Sequence, residues 1–450
     1  MRHLLPALLL LSCTGAPGPA PSWSVKAGFI RDPEGRAVIL RGANVSGRHK
    51  TPPHFDFHGP SDWARMRGEW GMNAVRFLVS WAALEPERGV YDDAYVAEVA
   101  RRVREASDAG LLVVVDMHQD LYGLGFPGGN GAPAWTCDAA HYAAYQPVSP
   151  WFFNYLNPEV IACVDGFWRS RDDLQVHLAD GWGRLAAALA DIDGFLGFDP
   201  LNEPFWGSVG YDIFEEKRLH PFYRSVIAQV RAHKPSALAF VEPASSRNLG
   251  LASHLPPFEE PGIVYAPHAY DPDAESGRGF DPARREAIAA NVKGLRDEAD
   301  ALGAALVLGE YGGQAAHPGI SEYMDAVYAA AASQHAGALY WEWTQGSGYA
   351  LVAADGGVKP GLHEAVVRPY PERTAGTPVE LSFEPVGRVF RYRWRPDPQV
   401  QAPTLISIPS GTWPGGFDAT CTGCEAKAEG LRLRLTSSGA GEATLELRPR

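Results

Sequence analysis

Two glutamates stand in short segments whose neighbours suit acid–base and nucleophilic chemistry. Glu203 lies in Leu201-Asn202-Glu203-Pro204 and Glu310 in Gly309-Glu310-Tyr311-Gly312, each directly after an apolar run. Polar side chains end comparable runs elsewhere: Arg76 in Val75-Arg76-Phe77-Leu78, His118 and Asp120 in Asp116-Met117-His118-Gln119-Asp120, His268 and Tyr270 in Pro267-His268-Ala269-Tyr270, and Trp341 in Tyr340-Trp341-Glu342-Trp343. Singly these signals are weak. Asn-Glu-Pro is more often a surface turn, and an Arg or His ending a strand is more often a satisfied structural residue. Together they describe a reaction. Breaking a glycosidic bond passes through an oxocarbenium-like state, in which one carboxylic acid protonates the leaving oxygen and one carboxylate attacks the anomeric carbon. Retaining enzymes hold the two about 5 to 5.5 Å apart. Glu203 fits the acid/base and needs a raised pKa at rest. Glu310 fits the nucleophile and must stay ionised, which hydrogen bonds from Arg76 and Tyr270 would favour. Asn202 can bond the sugar 2-hydroxyl, and Trp341 offers a flat apolar face to a sugar ring.

Such residues need a frame that brings them to one rim. Eight nearly continuous apolar runs recur along the chain: 37–41, 73–78, 111–116, 195–199, 238–241, 263–266, 306–309 and 337–341. Continuous apolar character is the mark of parallel strands covered on both faces. Amphipathic stretches at 94–109, 174–191, 282–302 and 320–335 lie between them. Alternation of this kind predicts an α/β fold, a (β/α)8 TIM barrel over residues 23–370, with the site at the carboxyl ends of its strands. Past Arg373 helical patterns vanish, and short alternating runs predict a small C-terminal antiparallel β-sandwich over 374–450. One connection, 117–173, far exceeds the ~15 residues of an ordinary loop. It is rich in aromatic residues, from Tyr122 to Trp168. Its rings either pack over the barrel mouth or wall a large, partly apolar ligand.

Composition narrows the function further. With 46% hydrophobic residues, 13 Trp and a net charge of −13, the chain is globular and poorly suited to a phosphate backbone. No nucleic-acid partner is expected. No H-E-x-x-H spacing and no G-x-G-x-x-G after a strand appears, so neither a catalytic metal nor a dinucleotide cofactor is expected. Tyr122-Gly123-Leu124-Gly125-Phe126 reads as a tight loop, not a phosphate cradle. Residues 1–22 predict an export signal and short linker: Arg2 and His3 precede the apolar run Leu4 to Leu11. Leu10-Leu11-Ser12-Cys13 resembles a bacterial lipobox, which makes Cys13 the lipid attachment point of a secreted or cell-surface protein. Four cysteines remain, an even number in an exported chain. Cys137 and Cys163 are expected to pair and staple the long loop. Cys421 and Cys424 either close a tight C-x-x-C turn or form half a zinc site. Glu242 reads as a rim residue, and Glu342 as structural or sugar-contacting.

The order of the motifs over about Lys26 to Tyr370 resembles the retaining glycoside hydrolases of clan A, family five. The resemblance carries the acid/base role to Glu203 and the nucleophile role to Glu310, with Arg76, His118, Asn202, His268, Tyr270 and Trp341 in supporting positions. The segment Asp116 to Asp120, the aromatic loop with Trp135-Thr136-Cys137, the loop Arg48-His49-Lys50 and the C-terminal sandwich are similar to the endoglycoceramidase branch. That similarity implies that Asp120 and Lys50 contact the glucose next to ceramide. It implies cleavage between the glycan and ceramide of glycosphingolipids, with retention, by a monomer that transiently contacts a membrane or micelle. The same chemistry on sterol or aryl glucosides or on a β-glucan is the alternative. A catalytically dead glycan receptor is disfavoured, because both carboxylates are present.

Overall fold

The computed structural model describes residues 22–437, 439 and 441–450. The expected export segment up to residue 21, with Cys13, lies outside the described residues. No helix among the described residues is long and apolar enough to cross a membrane.

Eight parallel strands close into a barrel: Arg41–Val45, Ala74–Val79, Leu112–Met117, Phe195–Asp199, Leu238–Val241, Ile263–Tyr265, Ala305–Gly312 and Gly337–Trp343. Nearly every residue of these strands is buried, because side chains on one face fill the barrel and those on the other meet helices. Leu40, Val114, Leu196, Phe240, Val264, Val307 and Leu339 pack together within the barrel. The first two strands approach so closely that a Cβ at Gly42 would lie 1.8 Å from the Ala74 carbonyl oxygen, so only glycine fits there. The outer helices include Asp93–Asp108, Leu174–Leu189, His220–Arg231, Arg285–Ala301 and Ile320–Ser333. The first of these starts at Asp92, whose carboxylate accepts from the Ala94 and Tyr95 N–H groups.

The first strand departs from the sequence reading. Ala37–Val38 does not enter the barrel but pairs with Tyr370–Thr374, and Arg41–Val45 is the first barrel strand. Gly42 and Asn44 interrupt the apolar character of the true strand and hide it. The C-terminal sandwich is correspondingly larger. A seven-stranded sheet runs Ser24–Lys26, Phe29–Arg31, Ala37–Val38, Tyr370–Thr374, Thr404–Ser407, Arg432–Ser437, Cys424–Glu429. It faces a four-stranded sheet of Gly376–Glu384, Val389–Pro396, Ala443–Pro449 and Phe417–Thr422. The N-terminal strands thus complete the C-terminal sheet. Trp394, Tyr392, Phe390, Leu433 and Leu447 form its core, and Tyr328 and Ala332 from a barrel helix pack into it.

Strands Phe417–Thr422 and Cys424–Glu429 escaped the pattern because nearly all their side chains face solvent or are only partly covered. Cys421 and Cys424 form a disulfide across Gly423, where the chain passes from one sheet to the other at φ +70°. With both sulfurs so bonded, the half-site for zinc is corrected. Cys137 and Cys163 are bonded with Cα atoms 5.4 Å apart, tying the long loop to the helix Pro158–Arg169 that ends it. The loop's aromatic residues divide into packed and exposed ones. Phe126, Tyr145, Phe167 and Trp168 are buried in the main core, whereas Trp151, Phe152 and Phe153 stay 47–51% exposed.

Asp32 joins the N-terminal hairpin to the C-terminal sheet. Its Oδ2 accepts from Arg36 Nε at 2.8 Å and from Arg373 Nη1 at 2.7 Å. Replacing Asp32 with Ala leaves two largely buried guanidinium groups without their anion and is expected to cost about 3 kcal/mol of stability. Chemical denaturation of the variant against the parent measures it; a change below about 0.5 kcal/mol would show that this ion pair does not join the two ends.

Candidate active site

The strand ends bring the sequence-predicted residues onto one face. Arg76 sits in the second barrel strand, 1% exposed, beneath the mouth. Its Nη1 donates to Glu310 Oε1 at 2.7 Å and to Asn44 Oδ1 at 3.0 Å. Its Nη2 donates to Asn202 Oδ1 at 2.9 Å and to Glu242 Oε1 at 2.8 Å. The same guanidinium lies 2.9 Å from Asp116 and 3.0 Å from Asp199. Glu310, near the end of strand seven, receives a second hydrogen bond on Oε2 from the Tyr270 hydroxyl at 2.9 Å. Both hydrogen bonds foreseen for Glu310 are therefore made.

Glu203 follows strand four in a left-handed backbone conformation, φ +43°, that non-glycine residues adopt only under constraint. The constraint is visible. Gln119 Nε2 donates to the carbonyls of Asn202 and Glu203 at 2.8 and 3.1 Å, and Asn202 Nδ2 donates back to the Gln119 carbonyl at 3.0 Å. His268 Nδ1 donates to Glu203 Oε1 at 2.8 Å, and Asn248 Nδ2 donates to the same oxygen at 2.7 Å. A Glu203 carboxylate oxygen, a His268 ring nitrogen and a Glu310 carboxylate oxygen all lie within 4.8 Å of one another.

Beside this pair stands a second cluster. Lys50, on the short helical turn Arg48–Lys50, donates to Asp120 Oδ2 at 2.8 Å and lies 4.4 Å from the centre of the Trp341 ring. His118 stacks on Trp341 with ring centres 5.5 Å apart, and its Nδ1 donates to Asp116 Oδ2 at 2.8 Å. Asn130 Nδ2 also donates to Asp120 Oδ2 at 2.7 Å. All ten predicted site residues thus belong to one connected region.

Electrostatics correct one expectation. Burial alone raises the Glu203 carboxyl, but the hydrogen bond and charge of His268 outweigh it and hold the group below its ordinary value. Burial raises the Glu310 carboxyl, and His268 and Arg76 only partly offset this, so it rests above its ordinary value. The predicted order, with Glu203 raised, is reversed in the ligand-free site. The cause is His268: burial lowers its pKa, while Glu242, Glu310 and Glu203 together lift it well above the ordinary value, so the ring is a cation. That cation sits 2.8 Å from Glu203 Oε1 and 3.5 Å from Glu310 Oε2. Burial works against ionisation of Asp120 too, but Lys50 and His118 keep its carboxyl well below the usual range.

Glu242 is not on the rim as read from the sequence. It is 2% exposed and lies under the paired carboxylates, because Pro243 turns the chain only after strand five has carried Glu242 inward. Its carboxylate, with those of Asp116 and Asp199, forms a buried acidic group within 4.8 Å. Arg76 supplies there the positive charge that a metal ion would bring, as His268 does between Glu203 and Glu310. Glu342 Oε1 accepts from Ser347 at 2.6 Å and from Thr344 at 3.3 Å in the loop after strand eight. Asn44, Gln119 and Asn248 were missed. Asn44 stands inside a strand, Gln119 lies between two conspicuous residues, and Asn248 comes from an irregular turn with no periodic pattern.

A (β/α)8 barrel carrying two close carboxylates at its mouth, one of them held by an arginine and a tyrosine, defines a glycoside hydrolase. The family model described as cellulase (glycosyl hydrolase family 5) matches residues 32–347, and the glycoside hydrolase family 5 C-terminal domain matches residues 368–446. The chain belongs to glycosyl hydrolase family 5. It is 26% identical over 451 residues to endoglycoceramidase I of Rhodococcus hoagii (strain 103S), covering 92% of this chain and 86% of that protein. Endo-glycoceramidase II from Rhodococcus sp., in its ganglioside GM3 complex, is 30% identical and superimposes with a TM-score of 0.85 over 94% of this chain and all of that one. Sterylglucosidase 1 of Cryptococcus neoformans, at 16% identity, shares the fold with a TM-score of 0.83 over 97% of this chain and 98% of that one.

The loop that presents Lys50 contains three covered histidines. Burial pulls His49 down to about 4 and lowers His54 and His58 as well. They are neutral when folded, so the unfolded chain binds more protons once the pH drops below the ordinary histidine value of about 6.5. Stability is full above that pH and falls as the pH descends, His49 contributing up to about 3 kcal/mol by pH 4. Thermal unfolding at a series of pH values should show this decline, flattened in His49→Gln. An equal slope in both proteins between pH 6.5 and 4 would overturn it.

Proposed function

We propose that the chain is an endoglycosylceramidase, which hydrolyses the β-linkage between the glycan and ceramide of glycosphingolipids with net retention. The observation that carries this reading is that the two carboxylates have both a polar cluster around an aromatic face and a series of aromatic and aliphatic side chains near them. On one side lie Lys50, Asp120, His118 and Trp341, polar groups around an aromatic face that suit a sugar. Past Pro204, the residues that follow Glu203 in the chain are aromatic. Phe205 and Trp206 follow Glu203 with ring centres 4.3 Å apart, and rings continue from Phe205 through Tyr155 to the exposed Trp151. Leu249, next to the Asn248 that touches Glu203, is 70% exposed, and Tyr211 and Ile213 are 42% and 48% exposed. These apolar groups suit a lipid aglycone that departs beside the acid.

In this mechanism Glu203 donates a proton to the glycosidic oxygen while a Glu310 oxygen bonds to the anomeric carbon, and ceramide departs with its hydroxyl restored. Glu203, now a carboxylate, takes a proton from water, whose oxygen displaces Glu310 and gives a glycan of unchanged anomeric configuration. The one proton of the pair must stand on Glu203 when substrate is bound, and His268, within reach of both carboxylates, is the group that redistributes it. Once Glu310 carries the sugar its negative charge is gone, which favours the ionised, basic form of Glu203. Asn202, oriented by Arg76 and Gln119, has a second amide hydrogen for the sugar 2-hydroxyl. Lys50 and Asp120 grip the glucose next to ceramide. Export, with Cys13 as a lipid anchor, accords with the two disulfides, which persist in oxidising compartments. The exposed rings at 151–153 suit transient contact with a membrane or micelle surface.

A fluorescent ganglioside should yield the intact glycan and free ceramide. Release of terminal monosaccharides alone would overturn the endo-cleavage, and turnover of sterol glucosides with no action on gangliosides would move the substrate to that class. Glu310→Ala should lose at least about 10⁴-fold in kcat, because the covalent step is gone. Added azide should restore turnover and give a glycosyl azide of inverted configuration. Near-parental activity of this variant would remove Glu310 from the nucleophile role.

A further inference from the structure

Glu242 ends barrel strand five, and no step above uses it. Its carboxylate is divided among the groups that flank Glu203. Oε2 accepts the backbone N–H of Glu203 at 2.9 Å. Oε1 accepts from Arg76 Nη2 at 2.8 Å and lies 3.2 Å from His268 Nε2. One buried side chain therefore touches the backbone of Glu203, the imidazole that donates to its Oε1, and the arginine that holds Glu310.

The place is electrostatically unfavourable for an anion. Glu242 shares it with Asp116 and Asp199, and Arg76 is the one guanidinium that contacts all three. Burial and the Glu242 charge push the Asp199 carboxyl well above its ordinary range, so Asp199 absorbs the repulsion by keeping a proton. Glu242 accepts two hydrogen bonds, from the Glu203 N–H and Arg76, and lies in ion-pair range of His268 Nε2. What these contacts secure is the turn at Glu203. Its backbone sits at φ +43°, a conformation that costs energy for a residue with a side chain and persists only where neighbours fix it. Gln119 holds the Glu203 carbonyl from one side and Glu242 holds its N–H from the other.

We propose that Glu242 is a positioning residue for the acid/base: by accepting the N–H of Glu203 and setting its charge 3.2 Å from the far nitrogen of His268, it aims the free oxygen of Glu203 at the glycosidic oxygen. This rests on the acid/base role proposed for Glu203 and deepens it. A group that acts only through the acid matters where protonation matters.

The test is kcat/KM for Glu242→Gln, Glu203→Ala and the double variant on two β-glycosides of one glycan, one with a dinitrophenyl leaving group and one with an alkyl group. Misdirecting the acid should cost Glu242→Gln about 100-fold on the alkyl glycoside. The dinitrophenyl glycoside, which departs without a proton, should lose less than about threefold. In the Glu203→Ala background the same change should add nothing, since its effect passes through the missing side chain. Equal losses on both glycosides, or losses that add in the double variant, would overturn the inference. Glu203→Ala alone reads the underlying role: if it shows no leaving-group preference, the acid assignment falls and the inference with it. Glu242→Gln relieves a crowded carboxylate and should melt near the parent. Should it not fold, Glu242→Asp keeps the charge, falls short of the Glu203 N–H, and must show the same leaving-group selectivity.

Discussion

The site is built on one buried cation. Arg76 contacts Asp116, Asp199, Glu242 and Glu310 at 2.9, 3.0, 2.8 and 2.7 Å, all of them largely or wholly out of water. One guanidinium cannot balance four carboxylates, and the remaining charge is met in two ways. The acids they touch raise His118, against burial and the Lys50 charge, and raise His268 well above its ordinary value, against burial. Asp199 stays protonated because burial and Glu242 disfavour its anion. A lysine could not take the place of Arg76. The planar fork supplies donors in fixed directions to Glu310, Asn202, Asn44 and the acids beneath at the same time. Replacing any one member shifts protons among the others, so the mouth of the barrel behaves as a single titrating unit.

That unit explains why the resting order of the two carboxylates differs from what the reaction requires. The residue types asked for a protonated Glu203 and an ionised Glu310. In the ligand-free site the His268 cation lies closer to Glu203 than to Glu310, and the carboxylate nearer the cation ionises first. A ring in contact with both is also the means of reversing the order.

Much of the fold was legible because parallel barrel strands are buried on both faces and read as apolar runs; strands four and five at 195–199 and 238–241 appear as drawn. The strand ends were legible for a related reason, since a polar residue after an apolar run marks where the chain leaves the core. That logic found Glu203, Glu310, Arg76, His268 and Tyr270. It failed where side-chain direction matters more than position. Glu242 also ends an apolar run, and nothing in its neighbours says that it turns inward. Asn248 and Gln119 act through turns whose geometry no periodicity records. The strands at 417–422 and 424–429 were lost because their side chains are mostly exposed, and the N-terminal strands because a sheet completed by distant segments has no local signature. The apolar run at 37–41 abuts the barrel strand at 41–45, whose apolar pattern is broken, and only sheet pairing separates them.

The long loop shows how one barrel separates two kinds of ligand chemistry. Its first part carries Asp120 into the network with Lys50 and Asn130, so it belongs to the polar side. Its middle part turns Trp151, Phe152 and Phe153 outward. The Cys137–Cys163 bond closes the segment between them against the helix Pro158–Arg169, whose own Phe167 and Trp168 are fixed in the core. Exposed aromatic rings on an untethered loop would collapse onto the nearest apolar surface, which here is the barrel mouth. Tethered at both ends, they stay outside while Phe126 and Tyr145 fill the space beneath. The covalent staple and the buried rings thus do one job: they fix the path of the long loop over the core.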